Sequence, residues 1–235
     1  EDVEDAEIQW RIKIMRWESI ILHNPAKASV AIASIRAIKD YRATKTLAER
    51  LNQVKLSRDI KFMYLEVLIA IGGNVPVEAM LKCISMDSDE ALRQRCLNQL
   101  RKWQSRSAMF FFISLLNATD NQTVNNGGYA LGELAMADAL LPLIKALRTR
   151  HTYTIGGGNN INANFSPNQP GLGGMNFGGK PKVVDQYLIN RSVHSAILTI
   201  VPEGVNFGYD QDRWMQWYIR LNTPQNINLR RAAQN

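Results

Sequence analysis

The residue types that most often carry catalysis or bind metals are few in this sequence and stand far apart. The three histidines, His23, His151 and His194, lie in three different segments, without a Cys, Asp, Glu or second His at the spacing of metal ligands. Neither an H-E-x-x-H motif nor a G-x-S-x-G nucleophile elbow occurs. The sequence therefore predicts no catalytic residues, no metal site and no cofactor, which favours a protein that is not an enzyme.

One glycine-rich segment has the letters of a phosphate-binding loop. Gly174 to Pro181 reads GMNFGGKP and satisfies G-x-x-x-x-G-K. The next residue should be a Ser or Thr whose hydroxyl reaches magnesium, but Pro181 stands there. The loop should also follow a buried strand, whereas more glycine-rich sequence precedes it. We interpret the match as a coincidence of composition rather than a nucleotide site.

A run of three consecutive phenylalanines is the most informative feature for binding. Successive helical residues point about 100° apart, so the three rings cannot all face one core stripe. Phe112 falls on the apolar row, whereas Phe110 points with Lys82, Ser114 and Lys145 toward the exposed side of its helix layer. These last four residues form the expected partner-binding surface. Two alternatives stay open: Phe110 lines a binding groove, or a later insertion folds over it.

Basic residues outnumber acidic ones between residues 36 and 61, and the whole chain carries a net charge of +7. Such a charge permits acidic partners, and a basic helical stripe can follow a phosphate backbone. The competing interpretation is an ordinary solvated surface, because aromatic residues are not interleaved with these charges as in single-strand binders. The candidate phosphate-binding residues are Arg42, Lys45, Arg50, Lys55 and Arg58.

The compartment stays open. Cys83 and Cys96, the two cysteines, each sit in an apolar helical pattern, where a free thiol usually serves as a small core residue. Two cysteines make no disulfide framework, and the longest apolar runs are too short to span a bilayer. The first residues, EDVEDAE, read as the cut end of a longer chain, so an exported form stays open.

The candidate binding residues named above must be positioned by helices. Residues 1–25 are predicted to form an N-terminal capping helix. Ile8, Ile12, Met15 and Leu22 fall on one stripe of it. We expect this stripe to cover the exposed flank of the first repeat.

From residue 26 to residue 150 the apolar pattern repeats. Leu47, Met80, Phe112 and Ile144 recur at intervals of about 33 residues. Two helices per unit at this period indicate a stack of helix pairs, because each pair can bury its apolar face only against its neighbours. The predicted fold class is all-α.

The segment VNNGGYALGELAMADALLPLIKALR resembles a HEAT repeat of the short bacterial kind. The positions that match the repeat pattern are Val124, Leu131, Gly132, Asp138, Pro142, Leu143 and Leu147, whereas Asn125 replaces the usual basic residue. The resemblance covers residues 26–150 and implies a right-handed α-α superhelix, or armadillo-like solenoid, with a concave face formed by the second helices.

Residues 151–189 differ in composition and are rich in Gly, Asn and Pro. Such a segment buries too little apolar surface to offset the entropy of ordering it. Its two flanks contain residues that favour strands, which allows a β-hairpin with a long tip. We expect an insertion on one face of the helical stack.

Residues 190–222 are predicted to form a C-terminal capping helix pair, followed by a polar tail at 223–235. The pattern N-F-G-Y-D-x-x-x-W-x-x-W-Y is similar to the C-terminal segment of a group of bacterial HEAT-repeat proteins whose role is not established. Trp214, Trp217 and Tyr218 repeat at helical spacing. They either close the core of the last repeat or anchor a partner.

Together these features predict a non-enzymatic scaffold that binds an unknown protein or peptide on the concave face of a HEAT-like solenoid. The alternative is a HEAT-like protein that binds the phosphate backbone of nucleic acid through the basic stretch. The sequence leaves the partner's identity and the oligomeric state open.

Overall fold

A computed structural model describes residues 3–155 and 182–223. This part of the chain is mostly helical and contains one antiparallel pair of strands. Its elements are α1 (Val3–His23), α2 (Pro25–Arg36), α3 (Thr44–Leu51), α4 (Arg58–Ile71), α5 (Asn74–Met86), α6 (Glu90–Lys102), α7 (Arg106–Leu115), α8 (Asn121–Leu134), α9 (Leu140–Lys145), β1 (Arg148–Ile155), β2 (Lys182–Ile189), α10 (Arg191–Ile200) and α11 (Gln211–Asn222). Short 3₁₀ turns precede α3 and α9.

The helices contact one another in two alternating rows. Helices α2, α4, α6, α8 and α10 each contact the next member of the first row, while α3 contacts α5, α5 contacts α7, and α9 contacts α11 in the second. Leu47, Met80, Phe112 and Ile144, the residues that define the sequence period, are all buried between the rows. One continuous apolar core therefore runs from α1 to α11.

The buried face of α1 is not the face that the sequence pattern predicted. Ile8, Ile12, Met15 and Leu22 are 49 %, 56 %, 43 % and 51 % exposed, so the prediction that this stripe covers the first repeat is wrong. Ile14 is buried instead, and Trp10 and Trp17 pack beside it.

A buried carboxylate explains this orientation of α1. Glu18 accepts hydrogen bonds from Arg50 Nε at 2.9 Å, Arg50 Nη2 at 2.5 Å and Tyr64 Oη at 2.7 Å. Trp10 Nε1 donates to Asp40 Oδ2 at 2.9 Å on the same side of the helix. A glutamate is seldom buried unless it is paired, so a search for apolar stripes assigns it to the wrong face.

The strands of the C-terminal half form the small hairpin sheet that the flanks of the insertion allowed, although β1 begins earlier, at Arg148. The register runs from Arg148 opposite Ile189 to Ile155 opposite Lys182. The tip expected within residues 156–181 lies outside the described residues.

Asn190 joins the base of this sheet to the helices. It precedes α10 but makes no side-chain cap. Instead its fully buried amide donates to the Ala146 carbonyl and to Thr149 Oγ1, both at 2.8 Å, and accepts from Asn125 Nδ2 at 3.0 Å. Asn121 Nδ2 donates to the same oxygen. Asn190 therefore occupies the N-cap position of α10, while its side chain bonds to α8 and to the base of the sheet.

The last helix pair ends in an aromatic cluster. Trp214 is fully buried, donates from Nε1 to the Gly208 carbonyl at 2.8 Å, and meets Phe207 and Trp217 edge to face. Asp210 Oδ1 accepts from the Arg213 backbone N–H at 3.0 Å and caps α11. This geometry agrees with a cluster that closes the core.

Candidate functional site

The expected partner-binding residues all lie on the outer side of the second row of helices. Lys82 on α5, Phe110 and Ser114 on α7, and Lys145 on α9 are exposed. Phe110 is 62 % exposed, a large apolar surface left to solvent. Ser114 Oγ donates to the Phe111 carbonyl at 2.6 Å, so its hydroxyl proton is already used within the helix.

A groove of about 270 Å³ separates α7 from α9. Of the four expected binding residues, only Lys145 lines this groove, whereas Lys82, Phe110 and Ser114 do not. Ile113, which lies one turn after Phe110 on α7, is also part of the lining. The lining is mainly apolar and consists of Ile113, Leu116, Asn117, Leu141, Pro142, Lys145, Ala146 and Thr149. Gln211 Nε2 donates to the Lys145 carbonyl at 3.0 Å and ties α11 to the edge of the groove.

His151 lies near the end of this groove as a structural residue. It is buried, and Thr149 Oγ1 lies 2.7 Å from Nε2 while the Thr119 carbonyl lies 2.7 Å from Nδ1. Since a carbonyl only accepts, Nδ1 donates to Thr119, and Nε2 shares a second hydrogen bond with the Thr149 hydroxyl. Thr149 Oγ1 also accepts from Asn190 Nδ2 at 2.8 Å.

The other two histidines have separate surroundings. His23 Nδ1 lies 3.0 Å from the Ser19 carbonyl, and His194 packs on the ring of Tyr209. Across residues 3–155 and 182–223, no three His, Cys, Asp or Glu side chains group as potential metal ligands. Cys83 and Cys96 are both buried and free, and the hydrogen bond with Cys83, together with burial, raises the pKa of the Cys96 thiol.

Most of the basic residues proposed for phosphate binding are engaged by carboxylates. Arg42 pairs with Asp40 at 2.7 Å, Lys45 with Glu7 at 3.3 Å, Arg50 with Glu18 at 2.5 Å and Arg58 with Asp89 at 3.2 Å. Lys55 is exposed in a loop.

The pair of Arg42 and Asp40 shifts the pKa of its carboxyl group strongly. The Arg42 guanidinium beside Asp40 holds the pKa of that carboxyl well below its usual range. Glu7, Glu18 and Asp89 lie outside residues 36–61, so a local count of charges overstates how basic this surface is.

A second cavity, larger than the groove between α7 and α9, was not anticipated from the sequence. It measures about 500 Å³ and opens between the end of α5, α6, α7 and α8. Leu97, Phe112 and Ala130 form part of its apolar floor. At its rim Tyr129 Oη donates to Gln94 Oε1 at 3.0 Å, and Gln94 Nε2 donates to Glu133 at 2.8 Å. Four helices supply the lining, so no single stretch of sequence carries its signal.

The described helices include none with the length and apolar character needed to cross a bilayer. Comparison of the sequence with models of protein families and with curated proteins gives no match.

Proposed function

We propose that this chain is a non-enzymatic protein-binding scaffold built as a HEAT-like α-α superhelix. Three features support this architecture: the sequence period of about 33 residues, the two alternating rows of helices, and a core shared between neighbouring pairs. Such a stack presents an extended surface of second helices while its interior stays closed.

The observation that carries the proposal is the exposure of Phe110 on α7, one turn before Ile113, which lines the groove between α7 and α9. Burying a phenylalanine side chain completely is worth about 1.5–3 kcal/mol, so a partner that covers this ring gains a substantial anchor. The groove continues the apolar surface through Ile113 and Leu141, and Lys145 adds a positive charge at its edge. A matching partner is a peptide segment with apolar side chains flanked by a carboxylate.

Substitution of Phe110 tests this function directly. We expect Phe110→Ala to reduce partner capture at least about tenfold, which corresponds to about 1.4 kcal/mol, with an unchanged melting temperature. Capture is measured by affinity purification with quantitative mass spectrometry. Tyr41→Ala, which removes another exposed aromatic ring, is the matched control. Equal capture by wild type and Phe110→Ala contradicts the proposal.

Stability measurements separate a binding defect from a folding defect. Phe112 is 2 % exposed, so Phe112→Ala should lower the free energy of unfolding by about 3–5 kcal/mol. A loss of that size in Phe110→Ala would assign the ring to the core and remove it from the binding surface.

The nucleic-acid alternative has less support, because four of its five proposed phosphate contacts are paired with carboxylates. Releasing Arg50 from the buried Glu18 carboxylate would cost free energy, whereas the exposed pairs of Lys45 and Arg58 cost little to break. A salt titration of binding to random duplex DNA distinguishes the two functions. Affinity that falls steeply with salt would favour the alternative.

A further inference from the structure

The cavity between α5, α6, α7 and α8 is a second concave site, separate from the groove between α7 and α9. Its volume of about 500 Å³ lies in the range of about 300–1,000 Å³ that is usual for small-molecule pockets. Leu97, Phe112 and Ala130 line it although each is only 2 % exposed, so the cavity reaches the core. An apolar group of a ligand can therefore be removed from water there.

The walls of the cavity are apolar below its rim. Ile84 near the end of α5 and Leu115 at the end of α7 are half-buried beside the floor. Met86 also lines the cavity and is 74 % exposed, and its unbranched thioether side chain can adjust to the shape of a ligand. A hydrocarbon chain or ring is therefore the part of a ligand that this region would bind.

A cation without a paired carboxylate stands at the rim of the cavity. Arg93 is half-buried on α6, and its Nη1 donates to the Asp87 carbonyl at 2.7 Å, which holds the guanidinium in place. The ion pairs found in residues 3–155 and 182–223 do not include Arg93. A guanidinium has five N–H groups, so most of its donors remain for the two oxygens of a ligand carboxylate.

The two acidic residues in the lining are either neutralised or exposed. The Asp87 carboxylate accepts from Lys61 Nζ at 2.5 Å and from the Asp89 backbone N–H at 2.9 Å. Glu90 is exposed at the first position of α6, where the helix dipole stabilises a carboxylate. Solvent screens an exposed charge more strongly than a half-buried one, so Arg93 rather than Glu90 sets the sign of the preferred ligand charge.

Hydrogen bonds between α6 and α8 hold the opening of the cavity in place. Tyr129 Oη donates to Gln94 Oε1, and Gln94 Nε2 donates to Glu133 on α8. Both bonds cross from one helix to the other at the rim, so the opening exists before a ligand arrives. A preformed site lowers the entropic cost of binding.

We propose that this cavity binds a small amphipathic carboxylic acid, with its apolar part on the buried floor and its carboxylate on Arg93. This ligand differs in kind from the peptide expected at the groove between α7 and α9. Phe112 of α7 lines the cavity, whereas Ile113 lines the groove. The two sites therefore use different sides of the same helix.

Selectivity for the head group tests this proposal. Octanoate, octanol and octylammonium share one chain and differ in charge, and each is titrated into the full chain by isothermal titration calorimetry. We expect octanoate to bind with a dissociation constant below about 1 mM, and at least about tenfold more tightly than the other two, because only its carboxylate can pair with Arg93. Octanol or octylammonium binding as tightly as octanoate, or no binding of octanoate, would overturn the proposal.

Arginine variants separate the rim charge from charge in general. Arg93→Gln should weaken octanoate binding at least about tenfold and leave octanol binding unchanged. Arg93→Lys, which keeps the charge without the paired donors, should bind octanoate with intermediate affinity. Arg101→Gln removes an exposed arginine of the same helix that does not line the cavity, and it should bind like wild type. Octanoate affinity that is equal in wild type and Arg93→Gln contradicts the proposal.

Methionine methyl groups report where the ligand binds. In NMR spectra of the protein with labelled methionine methyl groups, octanoate should shift the signal of Met86 at the cavity. Met15, on the exposed apolar face of α1, should stay unchanged. A shift of Met15 as large as that of Met86 would indicate adsorption on exposed apolar surface and would overturn the proposal. Phe110→Ala should bind octanoate like wild type, so failure of the peptide groove and failure of this site are distinguishable.

Discussion

Glu18 shows how one charged residue orients a whole element. Its carboxylate accepts hydrogen bonds from Arg50 and Tyr64 in the interior between α1, α3 and α4. Burial, and then the neighbouring Glu18 carboxylate, raises the pKa of Tyr64 well above its usual range, so the phenol stays a proton donor. The three side chains thus form a satisfied network, and removal of one partner leaves a costly charge or dipole behind.

We expect Glu18→Ala to lower the free energy of unfolding by about 3 kcal/mol, since Arg50 would lose its counter-charge in a half-buried position. Tyr64→Phe alone should cost about 1.5 kcal/mol, but it should cost under about 0.5 kcal/mol when Glu18 is already alanine. Urea unfolding of the four proteins measures this coupling. Glu66→Ala, at an exposed position on α4, should have little effect. Additive costs would show that the network is not coupled.

The pair of Lys61 and Asp87 connects stability to pH. Burial alone would raise the pKa of Asp87, but Lys61 Nζ at 2.5 Å and the Asp89 backbone N–H at 2.9 Å lower it below the usual value. Because the folded pKa lies below the unfolded value, this stabilisation is fully present above the unfolded pKa, near 3.9. It is lost as the pH falls through the folded pKa.

We therefore expect Asp87→Asn to lower stability at neutral pH by about 3 kcal/mol, because Lys61 is left buried without its counter-charge. The same change should flatten the decline of stability below about pH 4. Urea unfolding at a series of pH values provides the measurement. Asp138→Asn, which removes an exposed ion pair with Arg106, serves as the control. If the free energy of unfolding falls equally steeply below about pH 4 in wild type and in Asp87→Asn, this account is contradicted.

At the scale of elements, two glycines set how closely α8 packs. A Cβ atom built on Gly127 would lie 2.9 Å from Leu115 Cβ and 3.0 Å from the Phe112 carbonyl oxygen. One on Gly128 would lie 2.8 Å from the Val193 backbone nitrogen. These glycines allow α8 to approach α7 on one side and α10 on the other, and α10 begins beside the base of the hairpin sheet.

Gly128→Ala should therefore destabilise the protein despite the better helix propensity of alanine. The propensity gain is about 1 kcal/mol, whereas overpacking against a backbone that cannot yield costs about 1–3 kcal/mol. We expect a net loss of about 1 kcal/mol, and at most about 2 kcal/mol, in thermal or urea unfolding. Asn126→Ala on the exposed side of the same helix should cost much less. A stabilised Gly128→Ala protein would show that α8 and α10 can separate without penalty.

At the scale of the whole molecule, each helix contacts mainly the helices one or two places away in helix order, including α8 and α10 on either side of α9 and the strands. In such an arrangement a local defect should loosen nearby elements without reaching the other end. Asn190 is a suitable position for this test, because its buried amide links α8, the end of α9 and the base of the sheet.

Asn190→Ala should speed amide hydrogen exchange about tenfold or more in α10 and at the base of the two strands, because unpaired buried groups cost about 1–3 kcal/mol each. Exchange in α2 to α4 should remain as in the wild type. Hydrogen exchange with mass spectrometry gives both values in one experiment. A uniform increase along the chain would indicate a single cooperative unit.

The sequence by itself determined the features that depend on near neighbours along the chain. Apolar periodicity located Leu47, Met80, Phe112 and Ile144 in the interior, and the 100° step between helical residues put Phe110 outside. These signals are local, because a helix repeats its faces every few residues.

Only the tertiary structure decided which face of α1 is buried, where Asn190 bonds, and which basic residues are paired. Glu18, Arg50 and Tyr64 come from three helices, and the cavity beside Gln94 and Tyr129 is built from four. Polar burial depends on partners that are remote in sequence and meet only when the chain has folded, so no local pattern encodes it.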